Sequence, residues 1–120
     1  MPYMVCLGNH ERYHEPLYCH ITGCSLIHNY RDYPDSGSVY QGTDSGGECG
    51  VSMETLFQTP RAARDKPWYS IELGPLHATF MSTENDFSVG SPQWQFLKAD
   101  LEGVDRSVTP WVIFAGHRPM

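Results

Sequence analysis

The sequence has no cluster of lysine and arginine. Its 8 basic residues are scattered among 14 acidic ones, for a formal net charge of −6. Nothing in it can track a phosphate backbone, which speaks against nucleic-acid binding. Long apolar runs are missing too: Trp111–Ala115, among the longest, falls far short of the roughly 20 residues a membrane span needs. Charged residues make up only 18% of the chain beside 40% hydrophobic ones, which excludes the composition of a disordered polymer. With 11 Gly and 9 Pro in 120 residues the chain is loop-rich, yet below the roughly 25–30% at which low complexity takes over. Asn9, Asn29 and Asn85 all lack a hydroxyl residue two places on, so no glycosylation sequon exists. Met1 leads into Pro2 and an apolar run, with no basic region, apolar core and cleavage site. No signal peptide is expected, the compartment is left open, and the start resembles the inside of a domain.

What remains suits a single domain by length. Six histidines are more than a bland domain needs. With reference pKa values near 6.5, their protonation would bring the formal charge from −6 to about zero. That favours metal or acid–base chemistry. The four cysteines, Cys6, Cys19, Cys24 and Cys49, leave three readings open. Cys19, Cys24 and His28, with His20 between them, have loose zinc-site spacing; two of the four Cys could form a disulfide; or the thiols are free.

Along the chain, Tyr3–Leu7 followed by Gly8 predicts a buried strand. From Glu11 to about Gly50 periodicity is lost, and five tyrosines (Tyr13, Tyr18, Tyr30, Tyr33 and Tyr40) punctuate a long irregular loop, unusual inside a compact domain. Trp68–Leu73 and Leu76–Met81, separated by Gly74-Pro75, predict a hairpin, although Pro is not the favoured second turn residue. Ser91 as N-cap and Pro92 at the first helical position open a helix of about a dozen residues. Its expected inward stripe is Trp94, Leu97, Leu101 and Val104, with Lys98, Asp100 and Glu102 off it. Trp111–Ala115, closed by Gly116, predicts another buried strand. A helix feeding such a strand is the second half of a β-α-β crossover, so the fold class expected is α/β.

Two turns share a design. Gly8-Asn9-His10-Glu11 follows the first apolar run and Gly116-His117-Arg118 follows the last. In open α/β sheets ligands bind beyond the carboxyl ends of parallel strands. Two such turns, each presenting His, could converge on one site.

The tetrapeptide Gly8-Asn9-His10-Glu11 resembles the GNH(D/E) motif of metallophosphoesterases. Trp111 to Met120 is similar to the strand-plus-His block of purple acid phosphatases. The blocks Asp44–Val51, Met81–Phe87 and Gly90–Trp94 resemble segments of the large, plant-type members, in family order. The resemblance implies part of a four-layer α/β/β/α metallophosphoesterase sandwich, with residues 1–120 a single incomplete catalytic domain. The implied activity is acid phosphatase: hydrolysis of a small phosphomonoester by hydroxide on a dinuclear metal centre, Fe with Zn, Mn or Fe. Asn9 and His117 would be ligands of the divalent ion, and His10 would act on the phosphate or the leaving alkoxide. Two metal ions about 3.5–4 Å apart suit that chemistry by clamping the ester and generating hydroxide.

The family's DxG and GDxxY motifs, which precede GNH, and the GHxH block that follows are not found. With them go the ferric-site ligands, the bridging Asp and the Tyr. Two ligands hold metal poorly, since catalytic zinc sites keep three, so the 120-residue chain by itself is expected to be inactive. The alternative reading is a non-catalytic module that binds or regulates. His77 is expected to pack and not to ligate, Arg118 to be a structural cation, and Glu48 and Glu84 to accept structural hydrogen bonds. Strands as apolar as Tyr3–Leu7 and Trp111–Ala115 want both faces covered. With few other strands available, apolar area would be left in water at about 25 cal/mol per Å², so marginal stability or aggregation is expected.

Overall fold

A computed structural model describes residues 3–8, 56–62 and 66–118. Among the described residues lie a three-stranded mixed sheet and a helix. Strand β1 (Tyr69–Leu73) pairs antiparallel with β2 (Leu76–Phe80), and β2 pairs parallel with β3 (Trp111–Ala115), in the order β1-β2-β3. Helix α1 (Pro92–Gly103) lies between β2 and β3 in the chain. The β2-α1-β3 crossover expected from the sequence is therefore present, and the chain is α/β.

The hairpin closes with Leu73 opposite Leu76, leaving Gly74 and Pro75 as a two-residue turn. Gly74 has φ +60°, the value a primed turn needs at its first position and one that L side chains resist. The ring of Pro75 fixes a φ near −65°, which suits the second position once Gly has supplied the positive angle. Its carbonyl then accepts from the Trp111 amide at 3.2 Å. The same turn thus closes β1 onto β2 and starts β3.

Helix α1 begins as its sequence dictates. The Ser91 Oγ accepts from the Trp94 amide at 3.1 Å, and Pro92 occupies the first turn. Its buried face is not the expected one. Gln93 is its fully buried residue, Asp100 faces inward, and Leu101 is 41% exposed. The stripe is rotated because the helix docks on polar partners from the sheet and the turn after β2, which outrank a weak apolar periodicity. After α1, the Asp105 carbonyl accepts from the amides of Val108 and Thr109 at 3.0 and 2.8 Å, turning the chain into β3.

Residues 3–8 correct a second expectation: they form no strand among the described residues. Both polar backbone groups of Val5 are taken by one side chain. Its amide donates to Tyr69 Oη at 2.9 Å, and the same hydroxyl donates to its carbonyl at 2.8 Å. Burial pushes the Tyr69 phenol up to about 12. Leu7 and Gly8 are buried while Tyr3 is exposed, and burial also pushes the Cys6 thiol up. Cys6 is free; Cys19, Cys24, Cys49, His20, His28, Glu48 and the tyrosine-rich stretch lie outside the described residues.

Among the described residues strand β3 is an edge, and its apolar side chains are not covered on both faces: Trp111 is 69% exposed, and Ile113 and Phe114 are also exposed. An uncharged apolar edge invites pairing with another chain. The chain is therefore expected to self-associate, and Ile113→Lys should raise its monomer fraction in sedimentation velocity. A parent that stays monomeric at high concentration would contradict this. Among the described residues no helix is long and apolar enough to cross a membrane.

Candidate functional site

The carboxyl ends of β2 and β3 lie side by side, because Phe80 and Ala115 are register partners in the parallel pair. The ladder runs one step further: the Met81 amide donates to the Ala115 carbonyl at 2.9 Å. Beyond it come two turns, Ser82–Asn85 from β2 and Gly116–Arg118 from β3.

The first turn is buried and polar. Gln93 reaches from α1 to accept from the Ser82 amide at 2.7 Å and to donate through Nε2 to the Ser82 carbonyl at 2.9 Å. One side-chain amide thus satisfies both backbone groups of a residue that has left the ladder. Ser82 Oγ donates to Asn85 Oδ1 at 2.5 Å, while the buried Asn85 Nδ2 has no partner. Glu84 is fully buried. Its carboxylate accepts from Thr83 Oγ1 at 3.0 Å, Arg118 Nε at 2.7 Å and Arg118 Nη2 at 2.9 Å. Arg118 is the structural cation expected, and Glu84 is the expected acceptor.

The second turn is pinned to the first on either side of His117. The Arg118 amide donates to Thr83 Oγ1 at 3.3 Å. Gly116 packs so closely that an added Cβ would lie 3.2 Å from Met81 Cγ and 3.3 Å from Thr83 Cγ2. Met81 can bend, but β-branched Thr83 is stiff. Gly116→Ala is expected to cost about 1 kcal/mol and to shift the NMR signals of residues 81–83 and 118. A neutral substitution with unmoved signals would show that the two turns do not press on each other.

His117 itself is exposed at this edge. Asn9 and His10 lie outside the described residues, but the segment leading to them is anchored at the same edge. Val5 is tied to Tyr69, the first residue of β1, and Tyr69 is the register partner of Phe80 at the end of β2. The Tyr69 and Phe80 rings also stack, with centroids 4.8 Å apart. Of the three expected site residues the structure thus describes His117 alone. Among the described residues no group of three or more His, Cys, Asp or Glu side chains could hold a metal ion. One imidazole is not a metal site, so the described part of the chain does not fit a metal centre by itself.

A second polar cluster, under α1, takes no part in that edge. His77 is buried, with Nδ1 2.6 Å from Glu72 Oε1 and Nε2 3.0 Å from Asp100 Oδ2 and 3.1 Å from Thr79 Oγ1. Asp100 also accepts from Thr79 Oγ1 at 2.7 Å and Ser70 Oγ at 2.5 Å. Burial alone would lower the His77 pKa, but the bonds and charges of Glu72 and Asp100 outweigh it, and the value rises above 6.5. Burial likewise works against the ionised Asp100, yet the bonds from Ser70, Thr79 and His77 prevail and hold it below 3.8. His77 is a packing residue, as expected. Asp100 and Gln93, which tie α1 to the sheet, were not singled out by the sequence; the available signal was that both fall on one helical face with Leu97 and Val104.

No protein-family model matches the chain. It is 44% identical over 118 residues to "Probable inactive purple acid phosphatase 27" of Arabidopsis thaliana, covering 98% of this chain and 16% of that protein. It is 37% identical over 117 residues to "Nucleotide pyrophosphatase/phosphodiesterase" of Hordeum vulgare, covering 98% and 27%. Among solved structures, a purple acid phosphatase from seeds of yellow lupin (Lupinus luteus) superposes with a TM-score of 0.70 at 39% identity, over 98% of this chain and 17% of the other. The chain therefore spans about a sixth of the length of the Arabidopsis relative and of the lupin protein.

Proposed function

We propose, from the premise that this chain is homologous to a segment of the purple acid phosphatases, that it forms part of the catalytic domain of a phosphoric monoester hydrolase. The observation that carries the reading is the edge at which the parallel strands β2 and β3 end. His117 stands there on a turn held from both sides, and the segment leading to Asn9 and His10 is anchored at the same edge. Ligand sites of α/β sheets occur at this position.

In this reading residues 1–120 are one incomplete piece of a four-layer sandwich. His117 and Asn9 would contribute donors toward a divalent ion, and His10 would meet the phosphate. An imidazole suits a zinc- or iron-type ion, and a second imidazole can pass a proton to a leaving alkoxide. A dinuclear iron-containing centre would need further ligands from outside these 120 residues to complete it. Once bound, such a centre would stabilise charge on the phosphoryl group. The substrate proposed is a small phosphomonoester.

A second reading has its own support: four of the relatives carry the words "Probable inactive" in their names. On that reading the segment keeps the fold and serves as a binding or regulatory module. Exchanging this segment for its counterpart in the lupin-type phosphatase separates the two. The hydrolase reading expects turnover of an aryl phosphate that His117→Ala lowers by a factor of 100 or more. An inactive chimera that still folds, or one indifferent to His117→Ala, would leave the non-catalytic reading standing.

A further inference from the structure

We infer that Glu84 is a positioning residue for His117, acting through Arg118. The inference rests on the reading of His117 as a working side chain of the site.

Glu84 sits four residues past the end of β2 and is completely withdrawn from water. A carboxylate in such a place is expensive unless paired in good geometry, and as a source of stability a buried ion pair is often no better than apolar residues of the same volume. The geometry indicates what the pair accomplishes instead. Arg118 meets Glu84 with two nitrogens on two oxygens, at 2.7 and 2.9 Å. Such a fork fixes direction as well as distance, which a single contact does not. The same residue's amide bonds Thr83 Oγ1, and that hydroxyl in turn donates to Glu84 Oε1. Glu84 thus governs both the side chain and the backbone of the residue that follows His117. The residue that precedes it, Gly116, is confined by Met81 and Thr83 of the same turn. Backbone on either side of His117 is held against Met81–Glu84, so the imidazole is presented from a fixed base.

The test is NMR on the 120-residue chain and two variants. Glu84→Gln keeps volume and removes the charge; Arg118→Lys keeps the charge and removes the fork. The parent is expected to show one χ1 rotamer for His117 and a protected Arg118 amide. In both variants the His117 rotamer should average, and exchange of the Arg118 amide should accelerate tenfold or more. The amides of Ile71 and Ala78, in the hairpin, should keep their protection. Unchanged rotamer and exchange in either variant would overturn the inference. So would loss of the whole sheet in both, since the pair would then be a general strut. A Co²⁺ titration of the parent separates this from the functional reading. If His117 is ordered by Glu84 but ignores Co²⁺, the positioning stands and the metal-ligand role falls.

Discussion

Arg118→Met is expected to destabilise the fold by about 3 kcal/mol, whereas Glu84→Gln should cost only about 1 kcal/mol. The asymmetry follows from where the two charges sit. Glu84 is fully buried, while the Arg118 side chain is 32% exposed. Removing the guanidinium leaves a buried carboxylate with, among the described residues, only Thr83 Oγ1 to answer it, and an uncompensated buried charge of that kind costs about 3–5 kcal/mol. Neutralising the carboxylate leaves an arginine that can turn toward solvent. The double variant Glu84→Gln/Arg118→Met should recover most of the loss, because no charge is left stranded. Chemical denaturation of the four proteins measures this cycle. Equal losses for the two single variants would show that Glu84 is reached by water.

The next largest effect is expected at Asp100, the residue that binds α1 to the sheet. Asp100→Asn offers one acceptor oxygen where the carboxylate offered two to Ser70, Thr79 and His77. Hydrogen bonds to charged groups contribute about 1.5–3 kcal/mol each, so a loss of about 2–4 kcal/mol is expected. The substitution should also change how stability follows pH. His77 has a folded-state pKa above 6.5, so its contribution is complete below that value and disappears as pH rises through the folded one. Asp100 lies below 3.8 when folded, so its contribution is complete above that value and disappears as pH falls through the lower one. The parent should accordingly be most stable in mildly acidic solution and weaken toward alkaline pH. In Asp100→Asn that alkaline slope should shrink, since Glu72, more than half exposed at 58%, is left as the charged partner of His77. Denaturation midpoints from pH 4 to about 9 check both statements, and a parent indifferent to pH above 6.5 would refute the His77 account.

Local chemistry made part of the fold legible. Ser91-Pro92 announces the start of α1, Gly74-Pro75 the hairpin turn, and the apolar β3 segment after a helix announces the crossover; each needs only a few neighbouring residues to take effect. The orientation of α1 was not legible. Gln93 and Asp100 point inward because Ser82, Thr79 and His77 await them, and those partners are settled only once β2 is in the sheet. Residues 3–8 fail as a strand for a similar reason: a tyrosine 64 residues away takes the backbone groups that a neighbouring strand would otherwise claim. Of the candidate site, the position of His117 at the strand ends could be read from the sequence. The clamp that holds it could be read only in part, since nothing in the spacing of Glu84 and Arg118 says that the two will meet.

The central proposal is that Asn9 and His117, which stands on the turn after β3, meet at one cation. Titrating the 120-residue chain with Co²⁺ and following the ring protons of His117 together with the side-chain amide of Asn9 tests it directly. The account predicts that both sets of signals broaden over the same range of Co²⁺ concentration, while the Gly74 amide, at the far end of the sheet, stays sharp. Broadening of His117 with Asn9 untouched, or no response from His117, would contradict it.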